Sequence, residues 1–142
     1  MARSSHARFP LAAFLMLGLI AGCGPGLPKV YPVTGKVVNK GKGPAKDLTG
    51  YNIQFQSLTD PKELPGGVIA EDGSFTLYTR VGGKVIPGVK EGTYRACILP
   101  PAVEGGPPPR LVIPRRYTAF ETANFQYDVK PPATEITVEI ER

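Results

Sequence analysis

From residue 30 onward, apolar and polar positions alternate in short blocks separated by clusters of Gly and Pro. Val33, Gly35 and Val37 alternate with Thr34, Lys36 and Val38, and the run breaks at Asn39-Lys40-Gly41-Lys42-Gly43-Pro44. Tyr51, Ile53 and Phe55 alternate with Asn52, Gln54 and Gln56, the period-two pattern of a half-buried strand. Residues 68–70 lead through Glu71-Asp72-Gly73-Ser74 into Phe75, Leu77 and Thr79, which alternate with Thr76, Tyr78 and Arg80. An Asp-Gly pair between two such runs predicts a hairpin, because Gly tolerates positive φ in a tight turn. Tyr94, Ala96 and Ile98 share one face of a further strand, and residues 125–129 and 136–140 close the series. Residues 100–110 (PPAVEGGPPPR) are too rich in Pro to pair in a sheet and are expected to form a loop. No window after residue 23 carries a helical stripe. About seven short strands without a helix predict an all-β fold, a single small β-sandwich.

The first 22 residues read differently. Residues 1–10 carry Arg3, Arg8 and His6 with no acid, and residues 11–20 (LAAFLMLGLI) are uniformly apolar. A basic start, a short apolar stretch and small residues after it make a secretory signal helix. The apolar stretch is too short for a transmembrane helix, which needs roughly 20 such residues, and it ends at Gly22-Cys23-Gly24-Pro25-Gly26.

Leu19-Ile20-Ala21-Gly22-Cys23 resembles the lipobox of bacterial lipoproteins: an aliphatic residue, two small residues, then Cys. The resemblance implies cleavage between Gly22 and Cys23, a diacylglyceryl group on the Cys23 sulfur and acylation of the freed amine. Each buried CH₂ of an acyl chain contributes ~0.8 kcal/mol, and two or more chains hold a protein at a bilayer where one does not. The organisation expected is a signal peptide over 1–22, a lipidated Cys and tether over 23–29, and a β-sandwich over 30–142. Fully extended, the tether reaches at most ~25 Å, so the domain would ride close to a cell membrane or outer membrane, exported and facing the periplasm or the cell surface.

Val33-Thr34-Gly35-Lys36-Val37, the Gly-Lys turn after it, residues 51–55, Glu71-Asp72-Gly73-Ser74-Phe75 and Glu91-Gly92-Thr93-Tyr94-Arg95 stand in an order that resembles the carboxypeptidase regulatory-like domain. That family has a transthyretin-like, Ig-like β-sandwich and is common in bacterial surface lipoproteins. Ile113-Pro114-Arg115-Arg116-Tyr117 looks like the segment such proteins carry before their last two strands. The resemblance covers roughly residues 30–140 and implies a fold and a non-catalytic accessory role. Departures are expected in residues 58–67 and 100–110.

Composition narrows the chemistry. The net charge is +5; without Arg3 and Arg8 the 17 basic residues fall to 15 against 12 acids, near +3. That is too mild to argue for nucleic acid. The single His is His6, so the remainder of the chain lacks the base of a Ser-His-Asp or Cys-His site and the ligand of a His-containing zinc site. No catalytic residue, metal ligand or cofactor site is assigned. With Cys23 acylated, Cys97 has no partner for a disulfide and reads as a small strand hydrophobe.

Two basic groups remain. Lys29, Lys36, Lys40, Lys42 and Lys46 occur with no acid among them; they read as solvated strand and turn residues, some paired with Glu135, Glu139 and Glu141, or as contacts to an anionic bilayer. Arg110, Arg115, Arg116 and Tyr117 form a candidate binding surface, since an arginine pair beside an aromatic can hold carboxylates or sulfated sugars. The function expected is a membrane-anchored cell-envelope lipoprotein whose β-sandwich is a non-catalytic binding or structural module, with an envelope protein or a polysaccharide as the candidate partner. The alternatives are an accessory subunit and a periplasmic small-ligand or glycan-binding domain, with or without enzymatic activity. A concave pocket of convergent polar groups would favour small-ligand binding or catalysis, and a flat face would favour protein or glycan contact.

Overall fold

The alternation at residues 33–37 becomes strand β1 (Val33–Asn39), which buries Val33, Gly35 and Val37 and exposes Thr34 and Lys36. The computed structural model describes residues 26–142. The signal segment, the lipobox and Cys23 with its cleavage site at Gly22 lie outside the described residues. Among the described residues, no helix is long and apolar enough to cross a membrane.

After β1 come β2 (Gly43–Pro44), β3 (Asn52–Ser57), β4 (Gly66–Val68), β5 (Ser74–Thr76), β6 (Tyr78–Val81), β7 (Lys84–Pro87), β8 (Gly92–Leu99), β9 (Phe125–Val129) and β10 (Thr134–Ile140). The fold is all-β, in two sheets. The smaller has the order β10-β1-β2, with β5 also on β1; the larger runs β7-β6-β4-β3-β8-β9. β1 and β10 pair in parallel, Val33 beside Thr134 through Asn39 beside Ile140, and the other ladders are antiparallel. The ten strand segments exceed the seven or so expected because several hold only two or three residues, and because Gly82-Gly83 turns β6 back into β7.

One core fills the space between the sheets. Phe55 stands at its centre, with ring centroids 6.4 Å from Phe75, 6.4 Å from Tyr94 and 5.9 Å from Tyr127. Val33, Val37, Val138 and Ile140 face it from the smaller sheet, and Ile53, Ile69 and Ile98 from the larger. Each such side chain contributes ~1.5–3 kcal/mol by leaving water. A Cβ on Gly35 would run into the ring of Phe75, its partner across the ladder, so the missing side chain makes room for the ring.

The Asp72-Gly73 turn forms as expected, but the hairpin does not. Gly73 has φ 81°, its N–H donates to the Ala70 carbonyl at 2.9 Å, and Ala70 N–H donates to Ser74 O at 2.8 Å. The flanking strands then part. β4 joins β3 and β6, whereas β5 joins β1 in the other sheet. The chain changes sheets at Leu77, whose N–H donates to Val33 O at 2.9 Å, and continues as β6. The turn chemistry is local, but the backbone groups of β5 are claimed by β1, a competitor that the local pattern does not reveal.

Candidate functional site

The arginine segment follows the long loop of residues 100–114. It consists of a 3₁₀ turn (Arg115–Thr118) and one turn of helix, α1 (Phe120–Ala123), too short to leave a periodic stripe in the sequence. Arg110, Arg115 and Arg116 are exposed. Tyr117, by contrast, is 5% exposed and stacks on Phe125, ring planes 5° apart and centroids 5.2 Å apart. Its hydroxyl accepts the N–H of Glu141 at 2.9 Å. Arg116 lies over the Tyr117 ring at 4.7 Å and donates to the Tyr117 hydroxyl at 3.0 Å and to Glu141 O at 3.1 Å. So Tyr117 and Arg116 fasten this segment to the end of β10, and the four residues do not converge on a pocket.

Beneath the same segment lies Cys97, on the outward side of β8 and 2% exposed. Burial, reinforced by Glu121, pushes its thiol up to about 11. Arg95, two residues away on the same side, is occupied elsewhere, donating to Gln56 Oε1 at 3.1 Å. A thiol so placed is a packing group rather than a nucleophile.

The lysine series is divided by the strand it flanks. Lys29 lies over the Tyr31 ring at 5.8 Å, where the chain enters the domain. Lys40, Lys42 and Lys46 follow the far end of β1, about 20 Å on at ~3.3 Å per residue. There Lys40 pairs with Glu141, and Arg142 pairs with Asp47. These ion pairs hold the Glu141 and Asp47 carboxyls below the ordinary carboxylate range, each chiefly through the hydrogen bond from its partner.

The site that the structure itself assembles lies on the outward face of the larger sheet. In β3 the inward residues are Ile53 and Phe55, so Asn52 and Gln54 face out. Register sets their neighbours: Gln54 stands beside Gly66 of β4, and Gly66 beside Tyr78 of β6. Two residues along β6, Arg80 follows Tyr78 on the same face and pairs with Val85 of β7. Because Gly66 has no side chain, Gln54 and Tyr78 border a gap two strand spacings wide, about 10 Å. The result is a trough of about 650 Å³, with Leu64, Val68, Val85 and Leu99 as apolar walls. Leu64, Val68, Tyr78 and Val85 are 42–59% exposed, a group of large apolar side chains that ordinary packing leaves uncovered.

Among the described residues, Ser74, whose hydroxyl donates to Asp72 Oδ1, is the one polar side chain of the trough that has a partner. The side chains of Asn52, Gln54, Thr76, Tyr78 and Arg80 make no hydrogen bond or ion pair to any described residue. No Asp or Glu lines it. A second recess of about 320 Å³ adjoins it, sharing Gln54, Leu64 and Arg80 and adding Lys62 and Glu63. Lys90 lies 3.5 Å from Glu63 and offsets that carboxylate, which leaves Lys62 and Arg80 as the unopposed charges. Among the described residues, no three of His, Cys, Asp and Glu gather as metal ligands.

Local patterning placed Asn52, Gln54, Tyr78 and Arg80 on outward faces, but it did not bring them together. The Gly66-Gly67 pair was the available signal, a break in side-chain cover between two strands. No family model, curated protein or solved structure matches the chain. What fold and site define is therefore a class: an all-β, two-sheet domain with an open trough on one sheet face.

Proposed function

We propose that this chain is a membrane-anchored envelope lipoprotein whose transthyretin-like β-sandwich is a non-catalytic binding module. Two lines support the reading. The lipobox places Cys23 ten residues before Val33, so an acylated Cys23 would hold the domain against the bilayer on a short tether. The trough supplies the binding half: apolar walls beside the amides of Asn52 and Gln54, the hydroxyls of Thr76 and Tyr78 and the Arg80 cation, none of them partnered by a described residue. That last observation carries the reading, because polar groups around a concave apolar surface are the usual make-up of a ligand site.

A catalytic assignment has less support. The trough holds no carboxylate, His or Cys to act as base or nucleophile. Cys97 lies buried under the arginine segment.

Membrane attachment is tested by fractionating cells that express the wild type or Cys23→Ser, with mass spectrometry of the mature N-terminus. The expected result is wild type in the membrane fraction with acyl mass on Cys23, and the variant released. A variant that pellets with membranes like the wild type would reject the anchor.

A further inference from the structure

We propose that the trough over Gly66 binds an acidic saccharide, a chain of sugar rings carrying carboxylates. This deepens the binding-module reading and rests on it.

Three features of the trough select the ligand. First, Asn52 and Gln54 present carboxamides, which both donate and accept. Sugar hydroxyls do the same, so one amide can satisfy two hydroxyls of one ring. Second, the Tyr78 ring is 42% exposed and borders the gap over Gly66, where a ring can lie against it. Third, the unopposed charge is positive. Among the described residues Arg80 has no ion-pair partner and no acid lines the trough; in the adjoining recess Lys90 offsets Glu63, and Lys62 extends the positive potential there. A planar guanidinium is suited to a carboxylate, which it can hold through two parallel hydrogen bonds. The two recesses share Gln54, Leu64 and Arg80, so the surface is elongated, as an oligomer requires.

The obvious competitors fit less well. A peptide strand docks by pairing with an unpaired sheet edge. β3 and β4 are interior strands of the larger sheet, and β6, paired with β7 along its length, leaves only Thr79–Val81 without a ladder partner on the β4 side, too short a stretch to pair with a strand. An acyl chain would leave five polar side chains desolvated without partners, at a cost of ~1–3 kcal/mol each.

The test is titration of the full-length chain in detergent with oligogalacturonate, and with a neutral galacto-oligosaccharide of the same length, followed by calorimetry. Tyr78→Ala and Arg80→Gln are compared with the wild type, and an unchanged melting temperature shows that each variant is folded. The expected result is binding of the acidic oligomer, weakened at least tenfold by either substitution, with the neutral oligomer bound at least tenfold more weakly. No binding of the acidic oligomer, or wild-type binding in both variants, would overturn the proposal. Equal binding of the two oligomers, lost in Tyr78→Ala, would overturn the acidic specificity while leaving the binding module standing. None of these outcomes depends on Cys23, so a failed anchor would be recognised separately by fractionation.

Discussion

The Tyr117 hydroxyl and the backbone N–H of Glu141 are 2.9 Å apart, and this bond ties the segment after the long loop to the last strand. The stacked ring of Phe125 lies under the same tyrosine, so one side chain joins β9, β10 and the 3₁₀ turn that carries it. Tyr117→Phe keeps the stack and removes the bond. It is expected to cost about 1 kcal/mol, while Tyr117→Ala, which also empties the buried site, is expected to cost about 3–5 kcal/mol. Urea denaturation monitored by circular dichroism measures both.

Gly66 and Gly67 are adjacent in sequence and opposite in consequence. Gly67 faces inward beside Ile53, and a Cβ there would run into the Thr76 carbonyl, where β4 passes close to β5. Gly66 faces the trough, and a Cβ there would meet Ile53 O at 3.1 Å, a contact that a small backbone shift relieves. Gly67→Ala is therefore expected to lose about 2 kcal/mol or more and Gly66→Ala less than about 1 kcal/mol. Melting temperatures of the two variants give the comparison.

Cys97 is expected to resist modification. Its thiol is buried and titrates near 11, so at pH 7.5 almost none of it is thiolate. Iodoacetamide should leave the Cys97 peptide unlabelled in the native chain and label it fully in 6 M guanidinium, as read by peptide mass spectrometry. Rapid labelling of the native chain would contradict the burial.

Acid should weaken the far end of β1 first. The hydrogen bond from Arg142 lowers the folded pKa of Asp47, and that from Lys40 lowers the folded pKa of Glu141. A carboxyl whose folded pKa lies below its unfolded value of about 4 contributes stability above that pH. It loses the contribution as pH falls through the folded value. Melting temperature should accordingly decline from about pH 4 downward, and Asp47→Asn should start slightly lower above that pH and converge with the wild type in acid, so that its decline is shallower. Both side chains are substantially exposed, so the effect is small. An acid limb as steep in the variant as in the wild type would remove Asp47 from the account.

Lys40, Lys42 and Lys46 should not contribute to membrane attachment. They lie about 20 Å along β1 from where the chain enters the domain, which is about two Debye lengths in 0.1 M salt. Replacing all three with Ser is expected to leave the membrane-bound fraction unchanged in the fractionation assay. A shift of the triple variant to the soluble fraction would show that this end also meets the bilayer.

Much of this was legible along the chain. The alternations at residues 33–37 and 51–56 marked the buried faces of β1 and β3, and Asp72-Gly73 marked a turn. These are local properties: a strand reverses its face at every residue, and a turn is closed by its own four residues. The lysines were rightly offered Glu141 as a partner, since Lys40 pairs with it.

Partnership between distant segments was decided only by tertiary structure. Nothing near Ser74 shows that β5 will leave β4 for β1, and nothing near Tyr117 shows that its ring will turn in onto Phe125. The trough belongs here too, since Gln54, Gly66 and Tyr78 come from three strands, and only ladder register lines them up. Periodicity tells each strand which side faces water. Which neighbour it meets there is chosen by competition among all the strands for the same backbone hydrogen bonds, and that competition is settled only when the two sheets close on one core.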